Sequence, residues 1–304
     1  MTRKWRRAGS IALAGVLALL GLPMALAWVL TLPHRIVVGA PPADLRAEEV
    51  TLVAPENGPD AAANGVRSWF VPAGEIVGKS RELKGALLIL HGRGSSRRAM
   101  TGRARVLQQA GYASLLLDHP AQGESPGDVV TLGAREAALA TAGVAWLQTK
   151  LPGTKVGAIG ISMGGAALCL ADPPPPLAAL VLESTYSTLE AAIDGRARRM
   201  LGPIGHWLTP IALWTFHHHT GCDPAAMRPV DRIATLAGPL LVLHGGADRS
   251  TTPDQGRALF AAAPGPKQFF AFEGADHEDL FAFSNQSWSE QVVPFLDEAM
   301  SRAR

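Results

Sequence analysis

From Gly85 to Phe272 the chain repeats one pattern, a short apolar run followed by a stretch with helical spacing. The runs are Gly85-Ala-Leu-Leu-Ile-Leu90, Tyr112–Leu117, Lys155–Ile161, Leu177–Leu182, Pro239–Leu243 and Gln268–Phe272. A run that is apolar at nearly every position is what a strand covered on both faces requires. Arg97–Ala110, Ala134–Gln148, Met163–Ala171 and Pro253–Ala262 read as the intervening helices, and Gln286–Arg304 as a closing one. This alternation predicts an α/β fold with a mostly parallel, doubly wound sheet, in which ligands bind beyond the carboxyl ends of the strands. Two earlier strands are expected at Glu49–Val53 and Val66–Val71, joined by the turn-rich Pro55–Asp60. With 304 residues, 47% hydrophobic and 18% charged, the chain can bury a large core. A formal net charge of +2 leaves no electrostatic footprint for nucleic acid. Cys169 and Cys222 are too few for a disulfide framework or a four-cysteine zinc site, and inert thiols are the simpler reading over a single bridge.

Two segments interrupt the pattern. Between the fourth apolar run and the fifth, about residues 184–234 are too long for a plain crossover. Ile204, Trp207, Leu208 and Ile211 fall at helical spacing there, so the segment reads as a helical cap whose apolar residues pack it onto the core. At the N-terminus, Arg3, Lys4, Arg6 and Arg7 precede an uncharged apolar run from Ala8 to Leu32. As a helix this run spans roughly 37 Å, enough to cross a bilayer with some tilt. Residues 1–33 are therefore expected to be a transmembrane signal anchor, with the domain from residue 34 onward on the extracytoplasmic side. The competing reading is a signal peptide cleaved at Ala25-Leu26-Ala27, which would release the domain as a secreted protein. Pro33 to Asp44, with several breakers, reads as a short linker.

Gly160-Ile161-Ser162-Met163-Gly164 matches G-x-S-x-G, and so does Gly123-Glu124-Ser125-Pro126-Gly127. Context separates the two copies. A nucleophile elbow needs a strand before the serine, a helix after it, and a backbone N–H on the next residue to hold an oxyanion. Ser162 has all three, whereas Ser125 is followed by Pro126, which has no N–H. A serine hydroxyl needs an adjacent base. His277 lies in the loop after the last run, at the carboxyl edge of the expected sheet. His91 and His244 also follow strands, but each opens a His-Gly turn and is read as shaping it. The base in turn needs a carboxylate to fix its tautomer. Asp248, just beyond the Pro239–Leu243 strand, is the candidate, with Glu183 as the rival. Asp276 and Asp279 stand too near His277 in sequence to orient it and read as solvated loop charges. Met163 N–H and Arg93 N–H are the expected oxyanion donors, the latter from the glycine-rich loop His91-Gly-Arg-Gly-Ser-Ser96. The Arg93 side chain either meets an acidic substrate group or is solvated. His217-His218-His219 is a poor metal site, because adjacent helical side chains diverge. No phosphate loop and no dinucleotide fingerprint after a strand is present.

Leu-His91-Gly92-Arg-Gly94, Asp118-His-Pro-Ala-Gln-Gly123-Glu-Ser125, Gly160-Ile-Ser162-Met-Gly164, Leu243-His-Gly-Gly-Ala-Asp248 and Gly274-Ala-Asp-His277 occur in an order that resembles the α/β-hydrolase superfamily. The set is most similar to its esterase and serine-peptidase-like branch, with a cap after the sixth strand. The resemblance implies acyl transfer to water through an acyl-serine, on an ester, thioester or amide of a small acyl substrate, with no metal or organic cofactor; the apolar cap near a membrane suggests a lipid-like acyl group. It also implies that Asp118–Ser125 is a structural turn after the fourth strand. Arg93 departs from the pattern, which more often has a neutral or small residue there. A catalytically silent module of the same fold, binding a ligand at the cell envelope, is the alternative.

Overall fold

The computed structural model describes residues 21–53, 65–76, 79–80, 83–236 and 238–302. Its main sheet is formed by β1 (Glu48–Leu52), β2 (Val66–Val71), β3 (Gly85–Leu90), β4 (Tyr112–Leu117), β5 (Val156–Ile161), β6 (Leu180–Glu183), β7 (Leu240–Gly245) and β8 (Lys267–Phe272). The strand order is β8-β7-β6-β5-β3-β4-β2-β1. Pairing is parallel from β8 to β4, and β2 is antiparallel to both of its neighbours. This is the expected doubly wound sheet with an antiparallel edge. Strand ends differ from the sequence reading by a few residues, the largest shift being at β6. The turn-rich connection Pro55–Asp60 lies outside the described residues.

The helices are a segment at residues 21–31 (α1), Thr101–Ala110 (α2), Ala137–Lys150 (α3), Met163–Leu170 (α4), Leu189–Leu201 (α5), Ile204–Thr220 (α6), Pro253–Ala262 (α7) and Asn285–Arg302 (α8). Alternate residues of the central strands feed opposite faces, as the period of a strand dictates. Leu88 and Leu90 pack with Leu139 and Val144 of α3, Leu168 of α4 and Leu259 of α7. Leu87 and Ile89 pack with Ala104 and Leu107 of α2 and with Trp288, Val292 and Leu296 of α8. Burying each large aliphatic side chain contributes about 1.5–3 kcal/mol.

The cap follows the sixth strand, as expected, and is built from α5 and α6. Thr188 caps α5 by accepting from Ala191 N at 3.0 Å. The two helices touch at Gly205, where a Cβ would stand 2.3 Å from the Ala197 carbonyl carbon. Ile193, Ala197, Ala212 and Phe216 form a third apolar cluster with Leu26, Ala27 and Leu30 of α1 and with Met163. The expectation that the cap's apolar residues serve to pack it onto the core is corrected for several of them. Met200, Ile204, Trp207 and Trp214 are exposed, Trp207 at 78%. Helical spacing identified α6, but only tertiary packing decides which side of a helix is covered.

Most of the expected spanning segment, up to residue 20, lies outside the described residues. Its remainder, α1, lies against the cap, and no described helix is long and apolar enough to cross a membrane. Arg93 Nε donates to Leu30 O at 3.0 Å and Arg93 Nη2 to Val29 O. Trp28 stacks on His219 with centroids 4.0 Å apart, and Thr31 Oγ1 is hydrogen-bonded to His219 Nδ1 at 2.7 Å. The expected linker is also stitched to the domain. His34–Arg35 pairs in parallel with Gln122–Gly123, and Glu124 Oε1 accepts from Val38 N and Gly39 N at 2.9 and 3.0 Å.

The helix–sheet contact predicts a coupled pair of substitutions. A Cβ on Gly143 of α3 would meet Leu88 Cδ1 at 2.7 Å. Leu88→Ala is expected to lose about 2–5 kcal/mol by urea unfolding. Adding Gly143→Ala should recover part of that loss by filling the cavity, whereas strictly additive losses would contradict the packing described.

Candidate active site

β5 runs into α4 through one residue, Ser162, held at φ 50° and ψ −110°. A side-chain-bearing residue rarely adopts this conformation, and it must be enforced by its surroundings. Ser162 N donates to Glu183 O at 2.7 Å, and Ser162 O accepts from Ala166 N at 3.1 Å. The flanking glycines are required by contact. A Cβ on Gly160 would stand 2.5 Å from Gly165 Cα, and one on Gly164 would stand 2.3 Å from Leu90 O. The turn lifts the Ser162 hydroxyl to the carboxyl end of the sheet, and Met163 N–H is among the first amides of α4, which have no intrahelical acceptor.

His277 follows β8, and its Nε2 lies 3.2 Å from Ser162 Oγ. Its Nδ1 lies 2.7 Å from Asp248 Oδ2, in the loop after β7. With Nδ1–H donated to the carboxylate, Nε2 is left as the acceptor for the serine hydroxyl. Asp248 is buried, and its Oδ1 accepts from Ser250 N and Thr251 N, both at 2.8 Å. The three residues singled out from sequence are thus brought into one hydrogen-bonded line.

The rejected candidates have other work. Ser125 is buried; its Oγ donates to Asp118 O at 2.8 Å and accepts from Arg67 N at 2.9 Å. Asp118 meanwhile accepts from Arg97 N at 2.6 Å and Glu124 N at 2.9 Å, and is paired with the Arg97 guanidinium, so this segment is a structural turn after β4. His91 Nδ1–H donates to Gly92 O at 2.7 Å while Nε2 accepts from His119 N at 3.2 Å. His244 Nε2–H donates to Thr251 O at 2.7 Å. Burial lowers the pKa of both rings, which keeps them neutral. The rings of His217, His218 and His219 turn to three separate oxygen partners: Cys222 O, Trp214 O and Thr31 Oγ1. Cys169 and Cys222 are free, and burial pushes the Cys169 thiol up to about 12.

Two readings of acidic residues are corrected. Asp276 is no solvated loop charge: its carboxylate accepts from Arg199 Nη1 at 2.8 Å and from Arg249 Nη2 at 2.9 Å. Burial raises its pKa, but the Arg249 donors, the His277 amide and Arg199 outweigh this and hold it well below the usual range. Asp279 is paired with Arg103 Nη2 at 2.7 Å. Arg103 is fully buried and also holds Glu183 through Nε at 3.0 Å and Nη2 at 2.6 Å, while Trp288 Nε1 donates to Glu183 at 2.8 Å. Glu183 therefore anchors the end of β6 to the His277 loop and does not face the imidazole.

Arg93 stands beside the elbow, since a Cβ on its neighbour Gly92 would lie 3.5 Å from Ser162 Cβ. Its guanidinium donates to the carbonyls at the end of α1, so it is not simply a solvated charge. Sequence reasoning missed Gln122. It is buried, its Oε1 accepts from Gly94 N at 2.6 Å, and its Nε2 is 3.8 Å from Met163 Sδ. It thereby ties the Arg93 loop to the start of α4. Its place in the Asp118–Ser125 turn was the available signal.

A cavity of about 500 Å³ opens beside His277. Leu22, Leu26, Val29 and Leu30 of α1 form one wall. Arg196, Arg199 and Met200 of α5 form another, with Arg93 and Ser250 completing it. Gly195 allows this approach, since a Cβ there would stand 2.0 Å from Ser250 O. The anchoring network generates its own prediction. Glu183→Gln leaves Arg103 buried with one carboxylate partner in place of two, and should cost about 3 kcal/mol by thermal or urea unfolding, the low end for a broken buried pair. An unchanged midpoint would contradict the role given to Glu183.

The family model described as serine aminopeptidase, S33, matches residues 81–221, a span that holds Ser162 but neither Asp248 nor His277. An uncharacterized protein of Mycobacterium tuberculosis is 28% identical over 216 residues, 70% of each chain. Among solved structures, the esterase Pf2001 of Pyrococcus furiosus superposes with a TM-score of 0.70 at 22% identity, covering 89% of this chain and 98% of that one. The α/β hydrolase GrgF of Penicillium sp. gives a TM-score of 0.62 at 18% identity, covering 84% and 99%. Strand order, the elbow after β5 and these matches agree: the chain has the α/β-hydrolase fold, and its residues 81–221 match the S33 family model.

Proposed function

We propose that the protein is a serine hydrolase that cleaves a carboxylic ester, thioester or amide through an acyl-serine. The observation that carries this reading is the continuous line from Ser162 Oγ to His277 Nε2 at 3.2 Å and from His277 Nδ1 to Asp248 Oδ2 at 2.7 Å. His277 accepts the serine proton as Oγ bonds to the substrate carbonyl carbon, whose oxygen takes the negative charge. Met163 N–H and Arg93 N–H are the proposed donors to that oxygen. Collapse of the intermediate breaks the bond to the leaving group, which takes the proton from His277. Water then repeats the sequence and frees the acid. Asp248 holds the imidazole in the needed tautomer and stabilises its cation. The esterase Pf2001 among the structural neighbours favours ester substrates over the rest.

We further propose that residues 1–33 anchor the chain in a membrane, with the catalytic domain on the extracytoplasmic side; because residues 21–31 pack on the cap, only Ala8–Leu20, about 20 Å as a helix, is left to enter the bilayer, which draws α1 and the cap against the lipid. The basic cluster before the uncharged Ala8–Leu32 supports this orientation. Retention of the segment is supported by α1, because cleavage after Ala27 would take Leu26 and Ala27 out of the cap cluster. Exposed Trp28 and Val29 on α1, and Trp207 and Trp214 on the cap, suit an interface with lipid.

A fluorophosphonate probe should label the wild type and Ser125→Ala but not Ser162→Ala; a labelled Ser162→Ala protein contradicts the assignment. Asp248→Asn should lower kcat by about three to four orders of magnitude with little change in KM. For the anchor, the full chain expressed in a bacterium should resist carbonate extraction and be digested by protease added to spheroplasts. Release by carbonate, or protection from protease, would overturn the anchoring proposal.

A further inference from the structure

The cavity beside His277 has an uneven charge balance. Of the three arginines that line it, Arg199 shares Asp276 with Arg249, but Arg93 and Arg196 have no carboxylate partner among the described residues. Arg93 spends Nε and Nη2 on the Leu30 and Val29 carbonyls, which satisfy donors without cancelling the charge. Arg196 has no hydrogen-bond partner among the described residues and is half-buried in the cavity wall. Asp248 is near enough to favour its cation, but both Asp248 oxygens are already held by His277, Ser250 N and Thr251 N.

Burial and the nearby Arg199 lower the Arg196 pKa, and burial and Arg196 lower that of Arg93. Two partly desolvated, mutually repelling guanidiniums are an unfavourable arrangement. An anion entering between them relieves it, and the planar fork of arginine matches a carboxylate or a phosphate in two-point contact. The opposite wall, Leu22, Leu26, Val29 and Leu30 of α1, suits an alkyl chain.

We propose that Arg196, with Arg93 beside it, binds an anionic group of the substrate, so that the substrate is an amphiphilic ester joining an apolar chain to a carboxylate or phosphate. This inference rests on the serine-hydrolase reading above. It gives Arg196 the role of a specificity residue, placed on α5 by the close seat of Gly195 on Ser250.

Two matched pairs of esters test it on the full chain in neutral detergent. Para-nitrophenyl octanoate against mono-para-nitrophenyl suberate places a carboxylate on the acyl side. Monooctanoylglycerol against octanoyl lysophosphatidate places a phosphate on the alcohol side. In at least one pair the anionic ester should exceed its neutral partner about tenfold or more in kcat/KM, the scale of one charge-assisted contact. Arg196→Met should bring that ratio to within about threefold of unity, and Arg196→Lys should retain part of the preference. The pair that responds tells whether the anion belongs to the acyl or the alcohol side. Equal or better turnover of the neutral esters in both pairs, or a ratio unmoved in Arg196→Met, overturns the anion site. Fluorophosphonate labelling of the same preparations separates the failures. Labelled protein without anionic preference rejects this proposal alone, whereas protein that neither labels nor turns over any ester rejects the hydrolase reading with it.

Discussion

The site depends on one turn of backbone. Ser162 sits at φ 50°, a conformation costly for any residue with a Cβ, and nothing local to the serine makes it favourable. It is held from outside, by the bond from Ser162 N to Glu183 O and by glycines that let Leu90 and Thr185 close in on α4 and let Gly165 of α4 close in on β5. Glu183 is in turn fixed by the buried Arg103, which also grips Asp279 in the loop that carries His277. The nucleophile and its base are thus positioned through one shared network. A change at Arg103 would reach both without touching either.

The fold was legible because its five central strands are covered on both faces. Such strands leave continuous apolar runs, and these in alternation with helices admit few topologies. The elbow was legible for a stronger reason: its chemistry demands glycine on either side and an N–H after the serine, and Ser125-Pro126 lacks the last. What escaped notice was pairing across long sequence distances. Asp276 and Asp279 sit within a residue or two of His277 and looked like loop charges, yet Arg199 and Arg103 reach them from 77 and 176 residues away. Nothing in the local sequence encodes such partners. Arg196 likewise carries no local signal in Arg196-Ala-Arg198-Arg199; its place follows from Gly195 pressing α5 against Ser250.

The spacing in the cap was read correctly as helix, and residues 21–31 of the N-terminal apolar run are helical, but neither signal says what covers each side. In the cap, Phe216 and Ala212 face inward while Trp207 and Trp214 face out. In the N-terminal run, residues 21–31 fold back as one wall of the cavity. A segment expected to serve only as an anchor therefore contributes to the shape of the site, and the guanidinium of Arg93, expected at the substrate or in water, is the clasp that holds it there.

The central claim is that Ser162 becomes covalently acylated with help from His277 and Asp248. Rapid acid quenching during turnover of a para-nitrophenyl ester, followed by peptide mass spectrometry, tests it directly. The account predicts an acyl mass increment on the peptide containing Ser162, accumulating in step with a burst of nitrophenolate. An ester turned over with no adduct on that peptide, or with the adduct on Ser125, would contradict it.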